Sequence, residues 1–114
     1  MGASGAMCAR LQLLVAALAL ISGSGCGPVQ STSYLIDTET MLEAAKTASA
    51  DRTAPYEWTA ANLYYDKSKE EVGYSDYEQA IDYAKKALDF ATRARDAAVK
   101  AARKAATDAP TVSP

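Results

Sequence analysis

From Tyr77 to Asp108 the chain runs about 32 residues without a glycine or a proline. Those two residues are the ones that most readily end a helix, whereas alanine, lysine and arginine, which dominate the stretch, are strong helix formers. The sequence predicts one continuous helix of roughly 48 Å. In a chain of 114 residues, that rod constrains every other element. Read in sevens, positions 77, 84, 91, 98 and 105 are Tyr, Ala, Ala, Ala and Ala, and positions 80, 87, 94 and 101 are all alanine. Ile81, Leu88 and Phe90 add bulk only to the first half. That half is expected to carry a core. The second half is an alanine seam flanked by Arg93, Arg95, Lys100, Arg103 and Lys104. Ser75 or Asp76 suits the N-cap, with Glu78 close behind.

Two shorter helices are expected before it. One covers about residues 33–50, with Leu35, Met41, Leu42, Ala45 and Ala48 near one stripe and Asp37, Glu39 and Glu43 towards its start. After the loop "ASADRTAP", the other opens with Thr53 or Ala54 as cap and Pro55 in the first turn, where a missing N–H costs nothing. It ends at Val72, with Gly73 suited to a left-handed C-terminal cap. Tyr56, Ala60, Leu63 and Tyr64 form one face, continued by Lys67, and Trp58 and Tyr65 form another. Aromatics on two faces imply packing between two neighbours, and core is the simplest role for all of them. The fold class expected is all-α: a small antiparallel arrangement of three helices with a long C-terminal helix.

The first 25 residues read differently. Arg10 is their one charge, and Leu11–Ile21, "LQLLVAALALI", is apolar but too short to cross a bilayer, which takes roughly 20 residues. A positive start, a short greasy run and the small-residue exit "SGSG" describe an export signal over residues 1–25. Gly23-Ser24-Gly25-Cys26 resembles a bacterial lipobox, with Gly23 where leucine is usual. In that motif the cysteine becomes the first residue after cleavage and carries the acyl chains, each buried CH2 contributing about 0.8 kcal/mol to anchoring. Ordinary cleavage after Gly25 is the alternative. It would leave a soluble protein with a free thiol, an awkward residue in an oxidising compartment. Gly27 follows Cys26 where aspartate would resemble an inner-membrane retention signal, so the expected location is the outer membrane, facing the periplasm. Residues 26–32 are then a lipidated tether, 33–108 the helical domain and 109–114 a frayed tail ending in Pro114.

Within that domain, Tyr77, Ala80, Ile81, Ala84, Ala87 and Leu88 resemble the second helix of a tetratricopeptide (TPR) repeat, in which small alanines admit a close partner helix. The chain has room for one such hairpin, not for a solenoid of about three or more repeats. The combination "APYEW…A…YY…K…EEVGYSDYEQAIDYAKKA", Ala54–Ala87 after a lipobox, resembles a domain-of-unknown-function family of short bacterial lipoproteins. The resemblance covers about residues 26–100. It implies a TPR-like helical hairpin of the cell envelope, often associated with peptidoglycan-binding outer-membrane proteins, and supplies no catalytic residue.

Chemistry finds little purchase. The chain has no histidine, and Cys8 lies within the export signal, so neither a metal site nor a histidine-based nucleophile is expected. Glu70-Glu71 and Asp76 with Glu78 sit at a helix end and a turn, where acids are commonplace, and no glycine-rich phosphate loop occurs. No cofactor and no enzymatic activity are expected. Charge is uneven: residues 26–82 carry 4 basic and 11 acidic groups, residues 83–114 carry 7 basic and 3 acidic. The basic end could serve nucleic acid, anionic lipid or an acidic partner, and export argues against nucleic acid. Arg93, Arg95, Ala98, Lys100, Arg103 and Lys104 are therefore the candidate partner-binding residues, and Cys26 the candidate lipidation site.

In an up-down-up arrangement the basic arm projects away from Cys26 by about 20 Å beyond the hairpin. Deleting residues 93–114 is expected to release a partner and keep the anchor. The expected function is a non-enzymatic envelope lipoprotein, a protein-interaction or structural module near peptidoglycan. Its partners are the membrane, through the lipid, and an envelope protein or peptidoglycan, and the alanine seam also suits a homo-oligomer. The alternative is a soluble periplasmic binding subunit that takes a small ligand or glycan on the tyrosine-rich face.

Overall fold

A computed structural model of the protein describes residues 3–21 and 26–111. The lipobox residues Gly23, Ser24 and Gly25 and the final residues 112–114 lie outside the described residues. The described chain is all-α and elongated, about 100 Å along its longest axis. Its helices are α1 (Ala3–Ile21), α2 (Cys26–Thr47), α3 (Ala50–Thr53), α4 (Pro55–Gly73) and α5 (Tyr77–Asp108). None is long and apolar enough to cross a membrane. Among the described residues α1 shows no packing against another helix, whereas α5 packs along both α2 and α4.

Two hydroxyls fix how α5 meets its neighbours. Thr38 Oγ1 donates to the Ala84 carbonyl of α5 at 3.2 Å, while also bonding back to Tyr34 at 2.7 Å. Ser68 Oγ donates to the Ala80 carbonyl at 2.7 Å. Further along, Leu42 of α2 and Ala61 of α4 converge on Ala91, and Ala45 and Ala50 pack with Ala94 and Ala98. Positions rise together on α2 and α5 and oppose each other on α4 and α5. Helix α2 is therefore parallel to α5, and α4 is antiparallel to it.

The core is made of alanine. Ala80, Ala84, Ala87, Ala91, Ala94 and Ala98 are all buried, at alternating spacings of four and three residues. This is the heptad seam expected from the sequence, and it lets helix backbones approach to the low end of the usual 8–10 Å. Among the described residues the largest side chains buried completely are Thr38, Ser31 and Ser68. At such short range a side-chain hydroxyl reaches a neighbouring helix's carbonyl directly.

Local structure departs from the sequence reading in three places. Residues 26–32, expected as a tether, are the first two turns of α2. Pro28 is tolerated there because N–H groups of a first helical turn have no intrahelical partner. Ser31 and Thr32 bond back to the Pro28 carbonyl at 3.0 and 2.8 Å. A Cβ on Gly27 would stand 3.2 Å from the Tyr77 Cβ, a tight contact, so glycine lets α2 lie this close to the start of α5 without displacing it. The loop expected after α2 contains the single turn α3, entered through Ser49 at φ 64°.

The third departure is at the α4–α5 turn. Gly73 remains helical, and the left-handed residue is Ser75, at φ 62°. Asp76 N–H donates to Glu71 and Ser75 N–H to Val72, the paired bonds of a Schellman motif. Asp76 then caps α5, its Oδ1 accepting from the Gln79 N–H at 3.2 Å. One short turn thus closes one helix and opens the next.

Candidate functional site

The candidate partner-binding residues fall into two groups. Arg93 is committed within the fold: it pairs with Asp89 at 2.9 Å and lies 4.1 Å over the Phe90 ring. Arg95 pairs with Asp96 at 2.6 Å and donates to the Met41 sulfur at 3.2 Å. Ala98 is 1% exposed, covered by Ala45 and Ala50 of the same chain. It belongs to the core, and a partner cannot reach it. The seam loses its cover because α2 and α3 end there and α4 starts there, so the arm starts after Ala98 and not at Arg93. From Val99 to Asp108 it is about 15 Å of helix, shorter than the 20 Å expected.

On this arm Ala101 and Ala105 continue the seam in register, both exposed. Lys100, Arg103 and Lys104 are exposed too, and none forms an ion pair among the described residues. At 100° per residue, Lys104 lies beside the Ala101–Ala105 stripe, Lys100 is turned about 120° from the stripe's centre, and Arg103 lies on the opposite side of the helix. The arm's cations are thus spread round the helix away from the stripe, and Asp108 lies beside it.

A second feature lies between α4 and α5. Tyr56, Ala60, Leu63, Tyr64 and Phe90 line an open groove of about 510 Å³, with Asp66, Lys67 and Glu70 at its end. Tyr64 stacks on Phe90 (5.7 Å between centroids, 11° between planes) and on Tyr83 (6.0 Å, 30°), and Tyr56 meets Phe90 edge-on at 6.1 Å. Lys86 lies 5.6 Å from the rings of both Tyr64 and Tyr83. The expectation that these aromatics are core holds only on the other face of α4, where Trp58 and Tyr65 pack against the alanine clusters. Tyr56 and Leu63 remain 70% and 62% exposed.

Lys67 is held above the ordinary lysine value by its hydrogen bond to Glu70, and Lys69 by its hydrogen bond to Asp66. Burial, then the facing Glu39 carboxylate, pushes the Tyr65 phenol above 10.0, with Lys69 opposing. Each shift follows from an ordinary helix-surface or interhelix contact. Among the described residues, no three side chains of metal-ligating type converge.

Cys26 is exposed at the first residue of α2, at the same end of the molecule as the α4–α5 turn. Through Gly27 it sits directly beside Tyr77. Comparison with protein-family models, with curated proteins and with solved structures returns no match for this chain.

Proposed function

We propose that the chain is a non-enzymatic bacterial envelope lipoprotein: an export signal over residues 1–25, acyl chains on Cys26, and a small helical module on the periplasmic side of the outer membrane. The observation that carries the reading is the placement of Cys26. It directly follows a short apolar run and a small-residue exit, and it opens the packed helices at an exposed end. In this reading α2, α4 and α5 form an up-down-up arrangement, with α4 and α5 as a TPR-like hairpin, and the module's contribution is protein interaction or structural support near peptidoglycan. Palmitate labelling in cells, comparing wild type with Cys26→Ser, tests it. Label retained by the variant, or a mature N-terminus at residue 26 without fatty acid, refutes it.

The aromatic groove favours a second reading, a soluble binding subunit for a small ligand or glycan. Tyr56 and Leu63 offer exposed apolar surface beside Lys67 and Glu70, which supply hydrogen-bonding groups of both kinds. Trp58 faces the alanine core and would not report on that groove, so the test is calorimetric titration of glycan fragments with wild type and Tyr56→Ala. Heat that survives the substitution counts against the groove.

A further inference from the structure

We propose that two copies of this chain pair side by side through the outer face of α4, pointing the same way, with Leu63 of one copy against Leu63 of the other at the two-fold axis. The inference goes beyond the proposed function and rests on neither the lipid nor the glycan reading.

The composition of the core is the first observation. Among the described residues Leu42 is the one buried apolar side chain larger than alanine, whereas Tyr56 and Leu63 stand mostly exposed. Domains this small usually hold together through a disulfide, a metal or self-association, and Cys8 and Cys26 are both free. Large apolar groups thus lie outside a fold whose inside is short of them. A second copy would bury them.

The second observation is a pattern. Tyr56, Ala60, Leu63, Lys67 and Glu70 recur at spacings of four, three, four and three, within about 80° of one another on α4. That is a heptad seam, by which a helix packs against another of its own kind, and all but the half-buried Ala60 are exposed. Tyr56 and Leu63 share the groove with the half-buried Tyr64 and Phe90. One face therefore carries both projections and hollow, as a two-fold contact requires.

Charge permits the pairing. Lys67 is paired with Glu70, Lys69 with Asp66 and Arg93 with Asp89, and Lys86 and Glu71, also on this side, are opposite in sign. Copies pointing the same way set Tyr56, Ala60 and Leu63 on their counterparts and let each Lys67 reach the other copy's Glu70. Opposed copies would set Tyr56 and Ala60 against Glu70 and Lys67. Other occupants fit less well: an extended peptide finds no free backbone donors on helix flanks, and a glycan finds polar side chains only at one end, already paired. From Tyr56 to Glu70 the face is about 21 Å long and two helices wide. That is small for a dimer, so association in the micromolar range is expected.

The test is sedimentation of the full chain, matured in cells and purified in detergent, across the micromolar range. Wild type is expected to pass from monomer to dimer, and its Tm to rise with concentration, because only the folded form pairs. Leu63→Glu sets like charges across the axis and should weaken pairing about tenfold or more. Ile36→Glu, at a similarly exposed apolar position on α2, should stay within about twofold of wild type. In a Cys8→Ser, Cys26→Ser background, Tyr56→Cys and Leu63→Cys should each give a disulfide-linked dimer on mild oxidation, and Ile36→Cys should not. All three positions are exposed, and circular dichroism checks that each variant stays helical.

A wild type that stays monomeric overturns the proposal, and heat from glycan fragments then returns the groove to the glycan reading. Leu63→Glu pairing as tightly as wild type also overturns it. So does equal loss from Ile36→Glu, which marks unspecific adhesion. A disulfide at Leu63→Cys without one at Tyr56→Cys overturns the shared direction. Cys26→Ser is expected to pair like wild type; pairing that vanishes with the fatty acid, read by mass spectrometry, assigns the contact to the lipid and overturns the proposal.

Discussion

Ala91→Leu probes the alanine core where both neighbouring helices meet α5. The Ala91 side chain is completely buried between Leu42 of α2 and Ala61 of α4. Leucine adds three carbons. Were there room, their burial would add about 2.4 kcal/mol of stability at roughly 0.8 kcal/mol per carbon. There is none, because alanine spacing sets the helices near 8 Å apart and leucine needs about 10 Å. Overpacking strain costs about 1–3 kcal/mol. Wedging α5 away also stretches the Thr38–Ala84 and Ser68–Ala80 hydrogen bonds, each worth about 1 kcal/mol net. A net loss of about 3 kcal/mol is expected, which in a domain this small lowers Tm by roughly 12–24 °C. Urea and thermal unfolding followed by circular dichroism measure it, with Ala101→Leu as the control in the same register. That exposed position should change stability by no more than about 0.5 kcal/mol. If Ala91→Leu proves as stable as Ala101→Leu, the close approach of the helices is wrong.

Other outcomes follow from single contacts. Ser75→Gly should raise stability by about 1 kcal/mol, measured by urea unfolding, because serine pays a steric penalty at φ 62° that glycine does not. Gly27→Val should destabilise by about 1–3 kcal/mol, since its side chain meets the Tyr77 Cβ, which cannot swing aside. Removing residues 101–114 should leave the unfolding midpoint unchanged, whereas removing 93–114 takes Ala94 and Ala98 out of the core and should unfold the chain. The longer deletion therefore cannot serve as a test of partner release. Spectrophotometric titration should find the Tyr65 phenol ionising above 10.0, and Glu39→Gln should bring it down. Because the folded value is raised, the linked stability is fully present below pH 10 and is lost as pH rises through the folded value.

How far the sequence was legible depended on the kind of signal. Helix α5 was readable to its ends, because a long stretch free of glycine and proline needs no tertiary information and Asp76 is a good cap. Pro55 marked the start of α4 for the same local reason. The first turns of α2 were not legible: Gly27, Pro28, Ser31 and Thr32 have the composition of a linker. Their helicity depends on the close approach to Tyr77 and on hydroxyls bonding back along the helix. Periodicity located the alanine seam but could not say where its cover ends, so Ala98 read as available when α2 and α3 bury it. Likewise, the stripe through Tyr56 and Leu63 predicted a face on α4 but not that it would stay open beside Phe90.

The helical start at Cys26 has a mechanical consequence. A flexible linker of seven residues would let its load wander by about 15 Å. Here no such slack separates Cys26 from the rod, and α5 alone spans about 48 Å. With acyl chains on Cys26, the far tip is held at a set altitude above the lipid headgroups and moves only as the whole rod leans. A partner must come to that height, and one that pulls on the tip levers directly on the lipids below.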